Sequence, residues 1–312
     1  MCNNIEPFKE KNLFQRMVMP LPELENYYRE RREVFFKRGE KLKHIHLRKY
    51  SKFITMIFLL LDRFFKKHTI TLLGDSAKQL NQIQPTIFAC THIGGDDISR
   101  LFEAIKSHCY LFLGDPKGLY RDLAGLLLFL NGCICAETSD KTDRKIAYLR
   151  AVELLKAGGS LMIFPEGAWN ITDNLPVMHL FNGTAKMARE TTAQIVPIAI
   201  EQYGNRFVIN AGSPILPMKF QTDNSLTQYL RDALSTLKWE IWEHEGLTSR
   251  ESLGSFSNGS FADEIVARCP YGYDFSIDDV KRTCYHTKDT SPDEAFEYLK
   301  ILQRKCTEKL SK

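Results

Sequence analysis

Between residues 86 and 212, six short apolar runs alternate with stretches of a different period, and this alternation restricts the fold more than any other feature. The runs TIFAC (86–90), CYLFLG (109–114), CICAE (133–137), SLMIF (160–164), QIVPIAI (194–200) and RFVINAG (206–212) are strand-sized and rich in β-branched or aromatic residues. Between them, residues 99–107 and 141–156 repeat apolar side chains at helical spacing. In the second of these, Ile146, Leu149, Val152 and Leu155 form one stripe that stops at Gly158-Gly159. Strands alternating with helices predict an α/β domain around a central, mostly parallel or mixed sheet flanked by helices. Pro197, inside the fifth run, predicts an edge strand or an irregular bend, because proline has no N–H to give a ladder. Residues 225–244 place Leu226, Leu230, Ala233, Leu234, Leu237 and Ile241 on one face, which predicts a long helix packed back on the sheet. Trp239 and Trp242 fall off that stripe.

Three zones follow along the 312 residues: a basic, amphipathic, helical N-terminal region (1–68), the α/β domain (69–245), and a small polar C-terminal extension (246–312) with no interpretable motif. The extension ends in a helix opened by the capping box Ser291-Pro292-Asp293-Glu294. The formal net charge is only +4, but residues 29–67 carry nearly all of the basic excess, interleaved with Val34, Phe35, Phe36, Leu42, Ile45 and Leu47. Such interleaving suits an anionic lipid surface. The apolar run FITMIFLLL (53–61) is stopped by Asp62-Arg63 and is too short to span a bilayer. It reads either as a helix lying on the surface of a membrane or as a core helix with a solvated basic neighbour. No apolar leader is visible at the start, so a cytoplasmic location is expected, peripheral on the membrane's cytoplasmic face. The eight cysteines are scattered without a CxxC pair and are read as reduced, and Cys133-Ile134-Cys135 is read as a strand pattern.

The chemistry starts at CTHIGGDD (90–97). A strand running into His92 brings an imidazole to the rim of the sheet, where α/β folds bind ligands, and Gly94-Gly95 lets the chain turn sharply into a helix near Asp96 or Asp97. An aspartate folded back onto Nδ1–H fixes the tautomer and leaves Nε2 free to take a proton from a hydroxyl. This is half of a serine-protease triad, with the nucleophile left for a substrate to supply. A second strand, SLMIF, breaks at Pro165-Glu166-Gly167. Further on come Phe181-Asn182-Gly183 before a helical run, and then Val196-Pro197-Ile198.

In this order and spacing, HxxxxD, FPEG, F-x-G and VPI resemble the glycerolipid acyltransferase family, which includes 1-acylglycerol-3-phosphate acyltransferases. The resemblance covers residues 86–215. It implies that His92 is the general base for an acceptor hydroxyl attacking an acyl thioester, with Asp97 orienting it. It also implies acceptor binding at Phe164, Pro165, Glu166 and Gly167, and support of the site by Val196 and Pro197 as well as by the turn at Gly94 and Gly95. Thr138 and Trp169 join the acceptor side. Two departures stand out: Ala168-Trp169 follow FPEG where the family has a small hydroxyl residue and arginine, and Glu137-Thr138 replace an Asp-Arg. Without those arginines the planar, bidentate donors that suit a phosphate are missing, so lysophosphatidic acid is a less secure acceptor than acyl transfer is a reaction. Trp169 is open to two readings, stacking on a flat headgroup or packing in the core.

The expected function is an O-acyltransferase of phospholipid biosynthesis, with acyl-CoA or acyl carrier protein as donor, a lysolipid or related lipid as acceptor, and peripheral membrane contact. No cofactor, metal or nucleic acid is expected. The competing readings are a catalytically silent lipid-binding relative and, more weakly, a metal-dependent hydrolase built from His92, Asp96, Asp97 and Glu166.

Overall fold

The computed structural model describes residues 8–42, 45, 48–94, 96–121, 123–172, 175–246, 266 and 276–285. Gly95 and the helix expected from Ser291 lie outside the described residues. The chain forms α1 (Leu13–Val18), α2 (Leu21–Lys37), α3 (Arg48–Lys66), β1 (Thr69–Leu72), α4 (Ser76–Gln79), β2 (Thr86–Cys90), α5 (Asp97–Ala104), β3 (Tyr110–Gly114), α6 (Leu123–Asn131), β4 (Cys133–Ala136), α7 (Lys141–Lys156), β5 (Leu161–Ile163), α8 (Gly183–Thr191), β6 (Gln194–Tyr203), β7 (Arg206–Ala211), α9 (Asp223–Glu245) and α10 (Ile277–Thr283).

Seven strands make one sheet in the order β1-β7-β6-β2-β5-β3-β4. Every adjacent pair is parallel except β6 with β7, so this is the mixed, mostly parallel α/β sheet that the alternation predicts. Strand β2 is buried along its whole length, which is why TIFAC is a continuous apolar run rather than an alternating one. On one face of the sheet α7, α8 and α9 bury Ala151, Leu154, Ala185, Leu226 and Leu230 against Ile87, Leu161 and Ile195; on the other, Leu101 and Ile105 meet Phe88, Met162 and Val196. The long helix α9 packs on the sheet as its stripe requires. Trp239 and Trp242, off the stripe, lie edge to edge and donate to Glu243 and Glu201 respectively.

Pro197 corrects one expectation, since its strand is not at an edge: β6 lies between β2 and β7. The ladder to β7 ends at Ile198↔Ala211, and the Pro197 carbonyl accepts the Gly212 N–H at 2.9 Å one step further on. The missing donor therefore falls just beyond the last paired position of that ladder. A Cβ on Gly212 would stand 3.0 Å from the Pro197 ring, so the glycine gives the ring room.

The N-terminal region divides in two. Helix α2 turns basic residues inward: Arg32 forks onto both oxygens of Asp143 at 2.9 and 2.6 Å, and Arg29 reaches Asp140 at 3.3 Å. These charges serve the docking of α2 on α7 rather than a lipid surface. Helix α3 also turns charges inward but leaves an apolar face outside. Lys52 donates to the carbonyls of Ile105, Lys106 and Ser107 at 2.5–2.7 Å, capping the end of the α5 region. Asp62 bonds to Arg100, and Lys66 bonds to both oxygens of Asp96 at 2.9 and 2.8 Å. Its outward face is apolar, with Phe53, Phe64 and Phe65 each more than 70% exposed and Ile54, Ile57, Leu60 and Leu61 beside them. No helix among the described residues is long and apolar enough to cross a membrane.

Candidate active site

Strands β2, β5, β3 and β4 are neighbours and all parallel, so their C-terminal ends share one edge of the sheet. Every residue of interest from the first two blocks and the FPEG loop lies in the loops on that edge. Beyond β2 the chain continues through Thr91 to His92, turns at Gly94 with φ +82°, a value open to glycine without strain, and enters α5 at Asp97.

His92 Nδ1 lies 2.7 Å from Asp97 Oδ2. The same oxygen accepts the N–H of Ile93 at 2.9 Å and of Gly94 at 3.1 Å, so the turn is wrapped around the carboxyl group that faces the ring. Asp97 is fully buried and the His92 side chain is 14% exposed. The imidazole is thus held at Nδ1 and keeps a small exposed fraction. Asp96, one residue short, is turned away to Lys66 and belongs to the start of the helix.

Phe164 stacks on the imidazole, with centroids 4.0 Å apart and planes at 22°, and Trp169 meets it edge-on at 6.1 Å. Trp169 also packs beside Ala168, Met178 and Val280, so both readings of the residue are realised in part: it borders the ring and fills a small apolar cluster. Glu166 is turned inward and completely buried. Its Oε1 accepts the His92 N–H at 3.1 Å and its Oε2 the Met178 N–H at 2.9 Å. With both oxygens occupied, this side chain braces the His92 backbone against the FPEG loop. Burial pushes its carboxyl above the usual range, opposed by those two N–H donors and by the charges of Lys238 and His92. The loop is closed by Asn170, whose N–H donates to the His92 carbonyl at 2.8 Å and whose side chain holds Thr172, Leu175 and Pro176. Pro165 is buried and Gly167 exposed with φ +75°. Val196 and Pro197 lie in β6 beside β2, at Phe88 and Ala89, below the loops.

Thr138 lies at the same edge, beyond β4. Its N–H and hydroxyl both donate to Asp115, at 2.8 and 2.5 Å, so the hydroxyl is spent on the protein. Asp115 and Lys117 both have positive φ, +45° and +37°, in a tight loop after β3; for non-glycine residues this marks strain held by its surroundings. Glu137 is pushed up to about 7 by burial and by the charges of Asp115 and Glu25. Arg144 reaches the Thr138 carbonyl from α7. The Asp115 clamp and the Glu166 brace are absent from the sequence reading. The Gly114-Asp115-Pro116 that closes the second run was the only sequence signal for the clamp, and nothing local foretells the brace. Among the described residues no three His, Cys, Asp or Glu side chains are placed to share a metal ion.

Residues 75–201 match the family model described as Acyltransferase. A 1-acyl-sn-glycerol-3-phosphate acyltransferase of Borreliella burgdorferi is 27% identical over 140 residues, or 45% of this chain, and the chain spans about half of that relative's length, 52%. The crystal structure of the 1-acyl-sn-glycerophosphate (LPA) acyltransferase PlsC from Thermotoga maritima aligns with a TM-score of 0.47 at 15% identity, over 76% of this chain and 88% of that one. The match to the Acyltransferase model takes in His92, Asp97 and the FPEG loop, and the similarity to the Borreliella relative agrees with it: residues 75–201 are an acyltransferase-type domain.

Proposed function

We propose that this chain is an O-acyltransferase that moves a fatty acyl group from acyl-CoA or acyl carrier protein to a hydroxyl of a lysolipid or related lipid. One observation carries the reading: a partly exposed imidazole at the sheet edge whose Nδ1 is 2.7 Å from a buried aspartate. With Nδ1–H donated to Asp97, Nε2 is the basic atom. It takes the proton of the acceptor hydroxyl as the oxygen attacks the thioester carbonyl, and returns it to the departing thiol, while Asp97 steadies the cation that forms between the two steps. Residues 75–201 supply this chemistry, and the exposed apolar side chains of α3 support action at a membrane surface. The Borreliella relative is named for 1-acylglycerol 3-phosphate; here Glu137 and a Thr138 bound to Asp115 occupy the edge without an arginine, and the Asp115 carboxyl is placed against a phosphate there. Acceptors with an uncharged headgroup are therefore favoured over lysophosphatidic acid.

The test is to incubate the purified protein with labelled acyl-CoA and a panel of lysolipids in the presence of EDTA. Turnover is expected, and His92→Ala is expected to lose it by about 10²–10⁴-fold. Turnover that vanishes with EDTA, or that survives in His92→Ala, sinks the reading.

A further inference from the structure

Helix α10 lies outside the family match, yet it packs on the loop beside His92. Val280 is buried with Ala168 and Met178, in the cluster on which Trp169 also rests. Cys284 Sγ lies 3.9 Å from Met178 Sδ, and Tyr285 meets Phe181 edge-on at 5.2 Å. At Gly167 an added Cβ would come within 2.4 Å of the Phe181 ring and 3.2 Å of the Thr283 carbonyl, so a side chain there would push α10 and Phe181 off the loop. At the other end of the helix Asp279 is 3.9 Å from Lys117, in the strained loop after β3. The helix therefore bridges from the β3 loop to the β5 loop, along the edge on which β2 delivers His92. Met178 links it to the chemistry: its N–H is held by the same Glu166 that holds the His92 N–H.

A base that activates a lipid hydroxyl activates water equally well. Water attacking the thioester yields free fatty acid and thiol, and the products then depend on what the site admits beside the imidazole. We propose that α10 is the acceptor-side wall of the site, a specificity element that admits a lipid alcohol with a small headgroup and keeps out water and bulky headgroups. This inference rests on the acyl-transfer reading. Its anchor is Val280, and Lys117–Asp279 pins the opposite end.

The experiment uses the full chain with labelled palmitoyl-CoA and three acceptors, monoacylglycerol, lysophosphatidic acid and lysophosphatidylcholine, in wild type, Val280→Ser and Lys117→Met. A buried valine is worth roughly a tenfold effect and a partly exposed ion pair up to about fivefold, so Val280→Ser and Lys117→Met are expected to raise the acceptor KM and the ratio of free fatty acid to acylated lipid by about those respective factors. The acyl-CoA KM should move less than about twofold. A second readout does not need turnover: alkylation of Cys284 by N-ethylmaleimide, followed by peptide mass spectrometry, should slow severalfold when monoacylglycerol is added, in wild type and in His92→Ala alike. Protection of Cys284 without any turnover keeps the wall and removes the acyl-transfer reading. Turnover with unchanged product ratio, unchanged acceptor KM and no protection of Cys284 overturns the wall and leaves that reading standing.

Discussion

Glu137 follows β4 directly, with its Oε1 buried and without a hydrogen-bond partner among the described residues. Burial, and then the charges of Asp115 and Glu25, push its carboxyl from 4.5 to about 7, against the opposing pull of Arg32. A folded value above the unfolded one means that the native state holds the proton more tightly. The stabilisation is complete below about pH 4.5 and is lost as the pH rises through about 7. The full shift corresponds to about 3 kcal/mol, and partial exposure reduces it to about 1–2 kcal/mol. Glu137→Gln should therefore be more stable than wild type at pH 8 by that amount and nearly equal to it at pH 4.5, as read from urea midpoints; equal stability at both pH values would contradict this. Glu166 shows where residue-level reading stops. The letters FPEG mark a loop at a sheet edge, but only the adjacency of β2 and β5 reveals that the acid faces a backbone N–H of His92. The His92–Asp97 pair was legible because all of its parts lie within six residues, so the turn alone fixes the geometry.

At the scale of elements, six strands, α7 and α9 were legible from period and caps, since each has a buried stripe or a continuous apolar run. Strand β1, TITL, is short and half-buried at the sheet edge and carries too little pattern to register. Helix α6, LAGLLLFLN, is apolar throughout and so has no polar positions to show a helical period. Helix α10 was not read from the sequence: its capping box, Ser276 with Asp279 three residues on, sits in a polar stretch with no apolar period long enough to mark a helix. The tie between α3 and α5 was not legible at all, because it joins charges distant in sequence. Arg100 is fully buried and sits among Asp62, His68, Glu103 and Asp96, over the ring of Phe207. Removing it leaves Glu103 and Asp62 facing a poorly solvated gap, a loss that costs roughly 3–5 kcal/mol in comparable buried networks. Arg100→Leu should lower stability by that amount in urea unfolding, with Arg100→Lys recovering only part because an ammonium lacks the planar fork. A loss under about 1 kcal/mol would mean that the network is ornamental.

For the whole molecule, the decisive fact is which side of the N-terminal region faces out. Basic and apolar residues alternate throughout 29–67, so composition points to a lipid surface without naming the face that meets it. In the fold, Arg29 and Arg32 are consumed by Asp140 and Asp143, whereas α3 keeps Lys52, Asp62 and Lys66 inward and leaves its phenylalanines outside, which makes α3 the face to test. Lys66 grips Asp96, the residue before Asp97, so a surface that receives α3 also receives the His92 turn at a fixed distance. Each exposed phenylalanine buried in a bilayer contributes about 1–3 kcal/mol, so replacing Phe53, Phe64 and Phe65 together by serine should weaken binding to vesicles by a hundredfold or more. Transfer to an acceptor embedded in those vesicles should fall in step. Transfer to a short-chain acceptor dissolved as monomers should stay within about threefold, since the three side chains touch neither His92 nor the FPEG loop. Equal losses on both acceptors would show that the outward face supports folding rather than docking, and unchanged vesicle binding would show that lipid meets the protein elsewhere.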